Sequence, residues 1–194
     1  MKKKNNAYYF PDYPNFRPNL SPREMFKMGS FGGTYWRPIV STKYKLNKKT
    51  KLKNRHKLLP KSYWNGIPDN YLTSSKYQKK INTHKVKVGT SLDFWENKGW
   101  IRKEDPYGWV EWYSHFFNGR RINKEYDEFQ ISRWEKLAGP KGRFRNWLIT
   151  LIQNKNSDYN DMNVSPKIRQ VLQHWGYKLT KKDFDNEIKR RINK

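Results

Sequence analysis

In the second half of the chain, apolar side chains recur three or four residues apart, the spacing of a helix with one buried face. Trp109, Trp112, Tyr113 and Phe116 fall at i, i+3, i+4 and i+7. They predict a helix opened by the turn Asp105-Pro106-Tyr107-Gly108 and ended by Gly119-Arg120-Arg121. Asn123 is a cap for the next helix, which carries Ile131, Trp134 and Ala138. Gly139 and Pro140 divide it from a third, whose stripe is Phe144, Trp147, Leu148, Leu151 and Ile152. Ser165-Pro166 opens a fourth, with Ile168, Val171, Leu172 and Trp175 inward and Gly176 as its stop. Thr180 to Asp183 reads as a capping box for a last helix bearing Phe184, Ile188 and Ile192.

The first half is patterned more weakly. Residues 1–20 mix Pro, Asn and Tyr, which favours an extended strap whose aromatic rings dock rather than a helix. Ser21-Pro22-Arg23-Glu24 is a capping box with Pro at the first helical position, followed by Met25, Phe26 and Met28, with Gly29 as the stop. Phe31-Gly32-Gly33-Thr34-Tyr35-Trp36-Arg37-Pro38-Ile39 reads as two glycines and an extended aromatic segment. Residues 62–90 are polar, with turn signals at Asn65-Gly66 and Pro68-Asp69-Asn70, and Thr90 or Ser91 caps a short helix through Phe94 and Trp95. The prediction is a mainly α protein: a compact bundle of six or seven short helices, an extended N-terminal arm over 1–20, and a single domain over 21–194. That domain includes a basic loop at 43–61, with little or no strand.

Composition adds a large charge to this frame. The chain has 194 residues, of which 42 are Lys or Arg and 17 Asp or Glu, a net charge of +25. A domain of this size ordinarily carries a net charge of magnitude roughly 2–8, so the excess calls for a polyanion. Only 35% of residues are apolar, but 9 Trp, 13 Tyr and 10 Phe supply bulky rings that a disordered basic tail would lack. Cys is absent, which excludes disulfides, a thiol nucleophile and a thiolate metal site. No apolar run approaches the roughly 20 residues of a spanning helix, and Lys2–Lys4 are not followed by a signal-peptide core. The expectation is a soluble protein that is neither secreted nor membrane-spanning, within a cell or packaged inside a particle.

The charge is unevenly placed. Residues 1–90 hold 21 basic and 3 acidic side chains, whereas residues 91–194 hold 21 and 14. Between Lys43 and Lys61 lie nine Lys or Arg and no carboxylate: Lys43, Lys45, Lys48, Lys49, Lys51, Lys53, Arg55, Lys57 and Lys61. Such a run is a polyanion-binding arm, or a solvated loop. Lys141-Gly142-Arg143-Phe144-Arg145 opens a helix, where free amides, the helix dipole and two guanidinium forks suit a phosphate. Arg120 and Arg121, at a helix end, are candidates for the same contact, with intramolecular ion pairs as the alternative. Aromatics outside the periodic stripes, Tyr63, Trp64, Tyr71 and Tyr77, are the better candidates for stacking on bases; the striped ones read as core.

Enzymatic signals are thin. The four His are scattered, and there is no zinc-binding pair, phosphate-binding loop, dinucleotide fingerprint or serine-nucleophile motif. Asp93, Glu96, Glu104, Asp105 and Glu111 form the only acidic group that could hold Mg²⁺ for phosphodiester cleavage, but turn formation by Asp105 and pairing with Lys and Arg are the favoured reading of them. No cofactor or catalytic residue is assigned.

The segment Phe31–Ile39, Asp105-Pro106-Tyr107-Gly108-Trp109, Gly119-Arg120-Arg121 and Ser165-Pro166-Lys167-Ile168-Arg169-Gln170 together resemble a known group. These are the small basic Trp-rich proteins of large double-stranded DNA viruses of protists, mimivirus-like viruses especially, with relatives in algae. The resemblance covers most of residues 20–180. It implies a nonhistone nucleoid protein that compacts the viral genome in the virion or the viral factory, and it carries over no catalytic residues. The expected partner is duplex DNA, held nonspecifically through phosphates by Lys45, Lys48, Lys49, Lys51, Lys53, Arg55 and Lys57 of the arm and by Arg120, Arg121, Lys141, Arg143 and Arg145 of the body. Self-association is expected to depend on DNA. RNA binding, and a metal-dependent nuclease or base-excision activity, are the alternatives.

Overall fold

The computed structural model describes residues 3–45 and 48–193, with only the backbone of residues 42–45 and 48 described in the basic stretch. Lys2, Leu46 and Asn47 therefore lie outside the described residues. The described chain is mainly helical, with eight α-helices and two small antiparallel sheets of two strands each. It divides into two compact units, where sequence alone suggests a strap and one domain. One is Ser21–Ile122; the other joins Met1–Leu20 to Asn123–Lys194.

Within the unit formed by the two chain ends, the N-terminal strap is a docked element. Strands β1 (Lys3–Lys4) and β2 (Ala7–Tyr8) pair in a minimal hairpin, and Tyr8 N donates to Pro18 O at 2.8 Å. Phe10 and Phe16 are fully buried and stack at 5.2 Å, and Phe16 meets Trp134 edge-on. Asn19 clamps the strap down, its amide donating to Lys178 O at 2.7 Å while its Oδ1 accepts from Lys178 N at 2.8 Å. The helices of this unit are α5 (Lys124–Leu137), α6 (Arg143–Asn154), α7 (Pro166–His174) and α8 (Lys181–Ile192). Asn123 and Thr180 cap α5 and α8 through their side chains, as their positions predict. Ser165 does not cap α7. Its backbone is left-handed at φ 50°, and the helix starts on Pro166 alone.

One helix face differs from the pattern. The buried row of α6 is Arg145, Leu148, Ile149 and Ile152, one position round from the predicted stripe, and Trp147 is 55% exposed. The rotation follows from Arg145, which lies inward because its guanidinium pairs with Asp183 at 2.8 Å and covers the ring of Tyr177.

The unit Ser21–Ile122 is built around α4 (Trp109–Phe117), which buries seven of its nine residues, more than one face of the helix. Met25 and Phe26 of α1 (Pro22–Lys27), Tyr35, Trp36, Leu72 and Tyr107 complete this core. Ser21 and Glu24 form the predicted capping box in full. The extended segment expected after the two glycines begins only at Ile39, residues 35–37 being in a turn. Before it lies a tight turn in which Phe31, Gly32 and Gly33 all have positive φ, and residues 70–82 pack against it. A Cβ at Gly33 would stand 1.9 Å from Asn70 O, so only glycine allows that approach. Helix α2 (Lys61–Trp64) and helix α3 (Leu92–Asn97), capped by Ser91, complete the unit.

The basic stretch is also not a loop. Ile39–Lys45 (β3) and Lys48–Leu52 (β4) form an antiparallel hairpin with Ile39 opposite Leu52, Val40 opposite Lys51 and Ser41 opposite Thr50. Ile39, Val40, Thr42 and Tyr44 are strand-favouring residue types that the interleaved lysines obscure in the sequence.

Candidate nucleic-acid interface

Alternation along the hairpin sorts its side chains into two faces. Ile39, Ser41 and Leu52 are buried, whereas Val40, Lys49, Lys51 and Lys53 face solvent. The inward face is anchored by polar contacts as well as apolar ones. Ser41 Oγ donates to the buried Glu96 carboxylate at 3.0 Å, and the Tyr107 hydroxyl donates to Arg37 O at 2.7 Å, two residues before β3. Just past β4, Arg55 Nε lies 2.5 Å from Glu111 Oε1, and both side chains are largely or wholly buried.

Glu111 is the hub beneath the hairpin. Gly108, at the N-cap of α4, has no side chain to cap with, so a remote hydroxyl serves the first turn and Glu111 reaches back to the residue before the cap. The Tyr35 hydroxyl accepts from Glu111 N at 2.8 Å, and Glu111 Oε2 accepts from Tyr107 N at 2.9 Å. Burial pushes the Glu111 carboxyl up to about 7 against the pull of Arg55, and it raises the Tyr107 hydroxyl to about 12. Beside it, Asp105 is wholly buried and takes both carboxylate oxygens to Arg120, at 2.6 and 2.7 Å. The His115 ring is held neutral, its pKa lowered to about 4 by burial and by the charges of Arg120 and Arg55.

Of the five carboxylates in the acidic group, only Asp105 and Glu111 come together, with His115 as third member and all three ligand atoms within 4.8 Å of one another. Each of the two carboxylates already carries an arginine. Glu96 is committed to Ser41, and Asp93 stands exposed on α3. The geometry is that of an internal charge network tying the hairpin to α4.

The predicted contact residues thus separate into two classes. Lys49, Lys51, Lys53 and Lys57 are exposed and make no ion pair among the described residues, and Lys61 beyond them is the same. Lys141 and Arg143 are exposed at the start of α6, Arg143 lying over the Phe144 ring at 4.8 Å. By contrast, Arg55, Arg120 and Arg145 hold Glu111, Asp105 and Asp183. Arg121 donates to Phe116 O and covers the Phe116 ring at 3.6 Å. Lys45 and Lys48 face each other across the hairpin, and only their backbone is described. The ion-pair alternative for Arg120 is realised with Asp105 rather than with the nearby Glu125, Asp127 or Glu128. Spacing along the chain gives no signal for that, since Arg55 and Glu111 are 56 residues apart.

Comparison of the chain with protein families, curated proteins and solved structures finds no match.

Proposed function

We propose that this protein binds duplex DNA without sequence preference, through the phosphate backbone, and compacts it by bridging. The observation that carries this reading is the solvent face of the β3–β4 hairpin. Lys49, Lys51 and Lys53 stand in a row on an anchored ribbon, continued by Lys57 and Lys61, with no carboxylate to neutralise them among the described residues. Lysine is a flexible point charge suited to phosphate and carries no base-reading geometry of its own. Binding therefore draws on counterion release and is sequence-tolerant.

Bridging needs more than one cation cluster, and each unit supports one. The second unit contributes exposed Lys141 and Arg143 at a helix start with no capping side chain. In a large DNA virus, the setting that the resemblance implies, such a protein would hold packaged genome in the virion interior or the viral factory.

The test is duplex binding as a function of salt, using several unrelated sequences. Replacing Lys49, Lys51 and Lys53 by Ala removes up to three phosphate contacts, so the slope of log K against log salt should flatten by about 2–3. The loss should be equal across sequences. An unchanged slope would overturn the hairpin as the interface, and tighter binding of RNA than of DNA at matched salt would overturn DNA as the partner.

A further inference from the structure

Behind the hairpin, wholly within Ser21–Ile122, lies a cavity of about 390 Å³ that the phosphate-binding face does not use. Its size falls in the range of small-molecule sites. Five aromatic rings line it, those of Phe31, Tyr35, Tyr77, Trp95 and Tyr107. Two cations, Arg37 and Lys87, also line it, and no carboxylate does.

The walls are fixed before any ligand arrives. The Tyr77 hydroxyl donates to Val86 O at 3.0 Å and accepts from the amide of buried Asn82 at 3.0 Å. Its ring lies flat against Gly32, where a Cβ would stand 2.7 Å from it. Trp95 is held through Nε1, which donates to Thr90 Oγ1 at 2.6 Å. Ser91 Oγ likewise accepts from Phe94 N. Thr90 and Ser91 thus use their hydroxyl oxygens as acceptors, which leaves their protons for a ligand. Arg37 spends one nitrogen on Thr34 O at 2.9 Å, and Lys87 stands over the Tyr77 ring at 5.6 Å.

Aromatic walls select a planar, π-rich ligand; two cations and two hydroxyl donors without any acid select one that is anionic and rich in acceptors. We propose that the cavity binds a single nucleotide unit, its base against the Tyr77 and Trp95 walls and its phosphate at Arg37 and Lys87. The unit could come from a free nucleoside monophosphate or from an unpaired nucleotide within a strand. Only the second source rests on the nucleic-acid reading above.

Calorimetric titration of the full chain separates these cases. Deoxynucleoside 5′-monophosphates should bind, with the parent nucleosides at least about tenfold weaker for want of the phosphate. Lys87→Ala, a change at an exposed residue, should bring the monophosphate close to its nucleoside. Trp95→Ala should weaken both by about 5- to 100-fold through lost stacking. A single strand that displaces the monophosphate, and binds better than its own duplex, identifies the strand as the source; a single strand that does not displace it identifies the free nucleotide. No monophosphate binding up to about 10 mM, or an affinity unmoved by Lys87→Ala, overturns the proposal. The Lys49, Lys51 and Lys53 triple variant should lose duplex binding and keep monophosphate binding. Failure of the duplex test therefore leaves this one standing, and the reverse also holds.

Discussion

Burying an ionised carboxylate costs several kcal/mol unless a partner of opposite charge comes with it. At Glu111 that partner is Arg55, and at Asp105 it is Arg120. This separates residues that look alike in the sequence. Arg55 and Lys57 belong to the same basic run, but Arg55 is a core residue and Lys57 is exposed. Arg55→Ala leaves Glu111 buried and unpaired, and it should lower unfolding free energy by about 3–5 kcal/mol, read by urea denaturation. Lys57→Ala should change it by less than about 0.5 kcal/mol while weakening duplex binding. Equal stability losses in the two variants would contradict the assignment of Arg55 to the core. The same reasoning makes Lys, more than Arg, the solvent-facing cation of this hairpin.

At the scale of elements, glycines set where segments approach one another. Gly33→Ala places a Cβ 1.9 Å from Asn70 O at a backbone φ of +80°. It should destabilise Ser21–Ile122 by about 2–4 kcal/mol in thermal or chemical denaturation and distort the Tyr77 wall. Gly89→Ala, which meets nothing within 4 Å, carries only the backbone strain of its φ of +98° and should cost less, about 1–2 kcal/mol. Helices were legible in the sequence where local chemistry defines them: Ser21 with Glu24, Asn123 and Thr180 all cap as their positions suggest. The β3–β4 hairpin was hidden because lysine is a poor strand former and hides the alternation of Ile39, Ser41 and Leu52 inward. The face of α6 was misread because a buried arginine, Arg145, does not score as apolar. The aromatic cavity was not legible at all beyond the suspicion attached to Tyr77. Its lining comes from separate stretches around residues 31–39, 75–77, 87–95 and 107, none with a shared period.

For the whole molecule, the division into units recasts the charge. Ser21–Ile122 holds 22 basic and 7 acidic residues, and the unit made of the two ends holds 20 and 10. Both therefore carry excess positive charge, +15 and +10, so the asymmetry between chain halves does not confine polyanion binding to one of them. The docked strap has a consequence for how the chain is made. Phe10 and Phe16 leave the ribosome ahead of the helices that bury them, with all of Ser21–Ile122 in between. The inserted unit holds its own core and should fold during synthesis. The end-built unit must close a loop of about 100 residues before Phe16 meets Trp134, a late and slow step. Expressed alone, Ser21–Ile122 should unfold cooperatively, whereas residues 123–194 without the strap should not; a cooperative transition in the latter would show that the strap is dispensable. Until those helices emerge, the two phenylalanines have no core to enter, so the nascent chain should expose apolar surface there for as long as Ser21–Ile122 takes to be made.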